Sequence, residues 1–185
     1  LTGSMGFDDL SPRAVQEFLE PKAVALGINV TLYVETISGN SSTVDLETLL
    51  QWNYQRLVNP SRNKVLFSSG LERIKRNLLE AIERPEMIIH DQFTKLAYDN
   101  NPRAVFIPPF NEVESLNMDK VIASFDQLHQ NFSGSYFVFV GNVDVDTMRP
   151  LLRKYLANLP CKGHADQIQP EYPLPKRGIR KKEIF

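Results

Sequence analysis

The chain has 185 residues, 42% hydrophobic and 23% charged, with 21 basic against 22 acidic side chains. That is the make-up of one globular domain, or one domain with a tail, able to bury a core without disulfides or a structural metal, and it excludes disordered and collagen-like chains. A net charge of −1 gives no overall field toward nucleic acid or anionic lipid, so any such partner would need a local patch.

Ser11, Pro12 and the apolar set Ala14, Val15, Phe18 and Leu19 predict a short capped helix. Ile28, Val30, Leu32 and Val34 alternate with polar neighbours, the period-two pattern of a half-buried strand. The stretch "SGNSS" after it reads as a turn, and Leu46, Leu49, Leu50 and Leu57 recur at helical spacing until Asn59-Pro60. From Lys64 to Arg84 the apolar residues step by three or four, interrupted only by Gly70, which costs about 1 kcal/mol against alanine in a helix. Pro85 opens another helix that runs to "DNNP". The proline-containing stretch Asp99 to Asn117 predicts a loop, with a strand at Ala104 to Ile107, and Asn117 caps a helix through Leu128. Tyr136 to Val140, "YFVFV", predicts a central strand covered on both faces. Val145, Met148, Leu151, Leu152, Tyr155 and Leu156 form the stripe of a final helix closed by Pro160. The remainder, with Pro170, Pro173, Pro175 and a basic cluster from Lys176 to Lys182, reads as a solvated linker. Helices grouped between separated strands predict an α+β fold, with the domain at 1–160 and the tail at 161–185.

The chemistry-bearing residues fall mostly into structural roles. Asp144 sits at an N-cap position and Asp146 in the first turn after it, where carboxylates meet free backbone N–H groups and the positive end of the helix dipole. A calcium loop counted from Asn142 accommodates both, but it puts Thr147 at the glycine position and Arg153 at the twelfth, where a glutamate belongs. His90, His129 and His164 are isolated; Glu86 and His90 are four apart but lack a third ligand. His129 near a helix C-terminus reads as a dipole contact rather than a base. No G-x-S-x-G elbow and no phosphate loop occurs, and the single Cys161 forms no internal disulfide and has no helix N-terminus to activate it. The Ser38 to Thr43 turn could bind an anion, though a turn and a cap explain it equally. The opening ten residues lack the features of a signal peptide, which leaves a processed precursor open. The longest apolar runs fall far short of the roughly 20 residues of a membrane span.

Three stretches together resemble a domain of the pitrilysin/insulinase-type zinc metallopeptidases: "FVFVGNVDVDTMRPLLRKYLANLP", "VETISGNSSTVDLETLLQWNYQRLVNP" and "GSMGFDDLSPRAVQEFLEPKAVALGINVTLYVE". The likeness runs from about Gly3 to Pro160. It implies a mostly antiparallel sheet packed by helices, one of four homologous domains arranged as two halves around a chamber. The family's H-x-x-E-H motif is absent, so no catalytic residue and no metal ligand transfers to this chain, and zinc belongs to a catalytic domain elsewhere in the parent protein. The implied role is that of a third-type, non-catalytic domain that closes the chamber and helps bind unfolded peptide through Glu35, Thr36, Ile37, Ser38, Gly39, Asn40, Ser41 and Ser42. Its partners would be other domains of the same polypeptide, or a catalytic partner subunit, and peptide substrates. An extracytoplasmic bacterial location is the corresponding expectation. The alternative is a catalytically dead scaffold subunit of the same superfamily.

Overall fold

The computed structural model describes residues 10–31, 34–165, 175 and 177–183; the strand positions Leu32 and Tyr33, residues 1–9 and the tail residues Pro170, Pro173 and Lys176 lie outside that set. Its elements are α1 (Pro12–Leu19), β1 (Val24–Val30), β2 (Glu35–Ser41), α2 (Leu46–Val58), α3 (Lys64–Ile82), α4 (Pro85–Ala97), α5 (Phe110–Glu114), α6 (Met118–Leu128) and α7 (Val145–Tyr155). The helix starts follow from local chemistry. Ser11 accepts a hydrogen bond from the Ala14 N–H at 3.2 Å and Pro12 opens α1. Asn63 accepts from Val65 and Leu66 at 3.0 and 3.2 Å, and Asn117 accepts from Lys120 at 2.9 Å. Each bond satisfies an amide that the first turn of a helix leaves without an intrahelical partner.

The chain divides into two compact units, residues 1–67 with 117–167, and residues 68–116 with 168–185. In the first, Leu49, Leu50 and Leu57 of α2 are buried together with Ile122, Met148, Tyr155 and Leu159. In the second, Leu71, Leu78, Ala104 and Val113 are buried. Asp91 is buried there too, and its carboxylate accepts from Lys95 Nζ at 2.6 Å and from the Ile107 N–H at 3.4 Å, pinning the proline-containing loop to α4. The basic tail, read from sequence as solvated, returns to α4: Arg180 donates to the Leu96 carbonyl at 2.8 Å, and Lys182 donates to the Gln92 side chain.

The expected mostly antiparallel sheet is not what forms. Among the described residues there are seven helices and one two-stranded antiparallel sheet, β1 with β2, in register from Val24 opposite Ser41 to Val30 opposite Glu35. Three readings account for the difference. The pattern from Ile28 to Val34 runs past the end of β1 toward the start of β2, where the Thr31 N–H donates to the Val34 carbonyl at 2.9 Å, and Val30 and Val34 are exposed. The "SGNSS" turn is instead the second half of β2. Gly39 is there because a Cβ would lie 2.8 Å from Leu49 Cδ1, so the missing side chain lets α2 pack against the hairpin. Finally, neither Ala104 to Ile107 nor Tyr136 to Val140 is a strand. Apolar, β-branched composition makes a strand only where another backbone completes the ladder, and among the described residues none lies beside Tyr136 to Val140.

Candidate functional site

A cleft of about 540 Å³ opens in the first unit between β2 and the segment Ser135 to Val143. Its first bank follows from strand register. Ala23 with Ser42, and Thr31 with Val34, are hydrogen-bonded pairs that bracket the ladder. Such pairs alternate along an antiparallel ribbon, so Thr36, Ser38 and Asn40 point their N–H and C=O groups at β1. Glu35, Ile37, Gly39 and Ser41 therefore point theirs outward, along the edge that lines the cleft. These amides and carbonyls have no hydrogen-bond partner among the described residues.

The second bank is the apolar segment. Exposure along it alternates, at 94% for Tyr136, 45% for Phe137, 82% for Val138, 39% for Phe139 and 92% for Val140. That period of two is the pattern of a strand with one face toward the protein. Among the described residues no backbone hydrogen bond is made by Tyr136 to Val140. The floor comes from α2 and α7, through Leu46, Leu49, Leu50, Met148 and Leu156.

Polar groups collect at the Glu35 end. His129, the C-cap of α6, is 8% exposed; its Nδ1 lies 2.9 Å from the Phe125 carbonyl and its ring stacks on Phe125 at 4.0 Å. Nδ1 is thus the donor to that carbonyl, which leaves Nε2 a bare lone pair in the neutral ring and an N–H in the imidazolium. Nε2 lies 3.5 Å from Glu35 Oε2, an ion-pair separation without hydrogen-bond alignment. Asn53, on the cleft side of α2, has a buried Oδ1 with no hydrogen-bond partner.

Of the eight residues singled out for peptide contact, Glu35, Ile37, Gly39, Asn40, Ser41 and Ser42 line this cleft, while Thr36 and Ser38 do not. Ser42 is already engaged: its N–H donates to Ala23 at 3.0 Å and its hydroxyl to Asp45 Oδ2 at 2.7 Å. Asp45 also accepts the Ala23 N–H at 3.1 Å, and these hydrogen bonds, the Ser42 hydroxyl first, hold its carboxyl below the usual aspartate range. Asp144 caps α7, accepting from the Thr147 N–H at 2.8 Å and hydroxyl at 2.7 Å, which lowers its carboxyl likewise. Asp146 pairs with Arg149 at 3.6 Å. Among the described residues no three His, Cys, Asp or Glu side chains converge as a metal site would require. His90 stacks on Phe106 at 4.7 Å, and Cys161 is exposed. No helix among the described residues is long and apolar enough to cross a membrane.

Sequence reasoning placed His129 at the end of its helix, where it is found, but missed its nearness to Glu35, and missed Asn53 and the cleft itself. Asn53 carried a signal, since it interrupts the apolar face of α2 between Leu49 and Leu57. The cleft carried none, because it depends on an edge and a segment about 100 positions apart.

No protein-family model matches the chain. No curated protein matches it either. Solved structures do. The ferredoxin protease FusC, crystallised as an E83A mutant with Arabidopsis ferredoxin, superposes with a TM-score of 0.72 at 17% identity, covering 95% of this chain and 19% of FusC. The periplasmic protease PqqL from Escherichia coli gives 0.71 at 20% identity over 95% of this chain and 19% of its own length. A protease from Helicobacter pylori gives 0.68 at 12% identity, with 41% of that chain covered. The structural neighbours are proteases of the pitrilysin type, and the fold shared is that of one of their domains. The chain spans about a fifth of the length of FusC and PqqL.

Proposed function

We propose that this chain is a non-catalytic domain of a larger zinc-dependent endopeptidase, where it helps close the peptidase chamber and hold unfolded peptide. Zinc and the catalytic glutamate belong to another domain of the same polypeptide or to a partner subunit. The observation that carries the reading is the outward edge of β2, four residues whose backbone has no partner among the described residues, facing a cleft with an apolar floor. An extended polypeptide added there gains backbone hydrogen bonds whatever its sequence, while the floor selects apolar side chains at alternate positions. That combination suits a protein handling unfolded substrates. The likeness of the fold to protease domains supports the same assignment.

The test has two arms. The purified chain is titrated with extended, unstructured peptides and assayed for zinc and for cleavage. Saturable binding without hydrolysis is the expected result; stoichiometric zinc together with cleavage overturns the non-catalytic assignment. The neighbouring coding sequence decides between peptidase and inactive scaffold: an H-x-x-E-H motif there marks an active parent, and a degenerate copy marks the scaffold.

A further inference from the structure

A second cavity, of about 510 Å³, lies in the first unit among α1, β1 and α2. Its walls are apolar: Val15 and Leu19 from α1, Val24 and Leu26 from β1, and Trp52 from α2. One turn after Trp52, on the same helix face, stands Arg56. Arg56 makes no hydrogen bond and no ion pair among the described residues, and its Nε is buried without a partner. Gln16 and Glu20 of α1 are the other polar groups lining the cavity, and both are exposed.

An unpaired guanidinium in a largely apolar wall is unusual, because a buried charge ordinarily finds a carboxylate or a set of carbonyls. Burial holds the Arg56 guanidinium below its usual value, opposed by the charge of Glu35. Glu35 acts from outside bonding range and leaves the donor fork free. A guanidinium is matched best by a carboxylate, which can take two parallel N–H bonds. The walls take an aliphatic or aromatic body, and the volume falls within the range of small-molecule sites.

We propose that this cavity binds the carboxylate of an apolar molecule, with Arg56 holding the anionic head and Trp52, Val24 and Leu26 enclosing the apolar part. Two sources share that chemistry: a free medium-chain or aryl carboxylic acid, and the C-terminal carboxylate of a peptide ending in an apolar residue. The cavity shares Leu26 with the lining of the cleft but neither Trp52 nor Arg56, so the proposal stands whether or not β2 binds peptide.

Trp52 is the only tryptophan in the chain and lines this cavity but not the cleft, so intrinsic tryptophan fluorescence reports on the proposed site. The intact 185-residue protein is titrated with octanoate and with octan-1-ol, then with N-acetyl-Leu-Phe and its C-terminal amide. A saturable change is expected with at least one carboxylate, weakened tenfold or more for its neutral counterpart; which pair responds identifies the source. Arg56→Gln abolishes the response, and Arg56→Lys retains part of it. Val15→Phe narrows the cavity from α1 without touching the guanidinium and also abolishes binding, which decides the matter if the Arg56 variants fail to fold by circular dichroism. Equal binding of acid and neutral counterpart, an unchanged response in Val15→Phe, or no saturable change with any of the four compounds overturns the proposal.

Discussion

The Nζ of Lys154, on α7, lies 2.7 Å from Oε1 of Glu47, on α2, and the Tyr155 hydroxyl donates to the same oxygen at 3.0 Å. This pair joins elements 107 positions apart. The hydrogen bond from Lys154 is the main reason the Glu47 carboxyl sits below its ordinary value of 4.5, and the reciprocal bond raises Lys154 above 10.5. The stabilisation from Glu47, like that from Asp45 and Asp144, is present above the ordinary carboxylate values and is lost as pH falls through the lowered ones. That from Lys154 is complete below 10.5 and is lost as pH rises through the raised value. Urea midpoints should therefore be level from about pH 5 to about pH 10 and fall on either side. Because these groups meet solvent, both limbs should be shallow and weaken in 1 M salt. Glu47→Gln should flatten part of each limb, and an unchanged profile would show that the pair does not form in solution.

Removing the α7 cap separates the two aspartates of "VDVD". Asp144→Ala should lower the melting temperature, Asp144→Ser should recover most of the loss, and Asp146→Ala should have a smaller effect than Asp144→Ala. Asp144 bonds to an otherwise free amide, whereas Asp146 pairs with Arg149 at 3.6 Å on the surface. Differential scanning calorimetry at neutral pH gives the order directly. Equal losses at both positions would contradict the capping assignment.

At Gly39 a side chain would press on Leu49. A Cβ there would meet Leu49 Cδ1 at 2.8 Å and the Ala25 carbonyl at 3.3 Å. Gly39→Val should cost about 1 kcal/mol of unfolding free energy, the low end of the range for overpacking, because Leu49 Cδ1 ends a flexible side chain beside an open cleft. Gly141 has nothing within 4 Å of its Cβ direction but a φ of +144°, so alanine there tests backbone strain alone. Chemical denaturation of both variants distinguishes the two causes.

Strand addition to β2 makes a prediction that alternates with position. The Ile37 N–H points outward and the Ser38 N–H points at β1. Ile37→Pro should abolish binding of extended peptides while keeping the hairpin, because proline is tolerated where an edge amide faces outward. Ile37→Ala controls for the lost side chain and should still bind. Ser38→Pro removes a ladder bond and should destabilise the hairpin itself. Binding by Ile37→Pro that matches Ile37→Ala, measured by calorimetric titration, would exclude the β2 edge as the peptide site.

The helices were legible in the sequence because their signals are local. Ser11, Asn117 and Asp144 cap the helices they were expected to cap, and Pro12 and Pro85 start theirs. The β structure was not, since each misreading concerned a feature set by distant residues. Gly39 looked like a turn glycine, yet what fixes it is Leu49 on the following helix. Val30 and Val34 fitted one alternating pattern, which hid the end of β1 at Val30. Tyr136 to Val140 had strand composition but no hydrogen-bonded backbone partner among the described residues. The residues proposed for peptide contact form one stretch of sequence, and their division into inward and outward backbone groups became visible only with the register.

The backbone of Tyr136 to Val140, without a hydrogen-bond partner among the described residues, also bears on the protein's lifetime at high concentration. Five successive apolar residues without proline or charge form a segment that identical copies can stack in register, each offering the next its unused amides. Left uncovered, it would seed fibrils, and a lysine gatekeeper at Val138 should lengthen the lag before thioflavin-positive material appears. Whatever shields this segment in the cell thereby acts as a guard against aggregation.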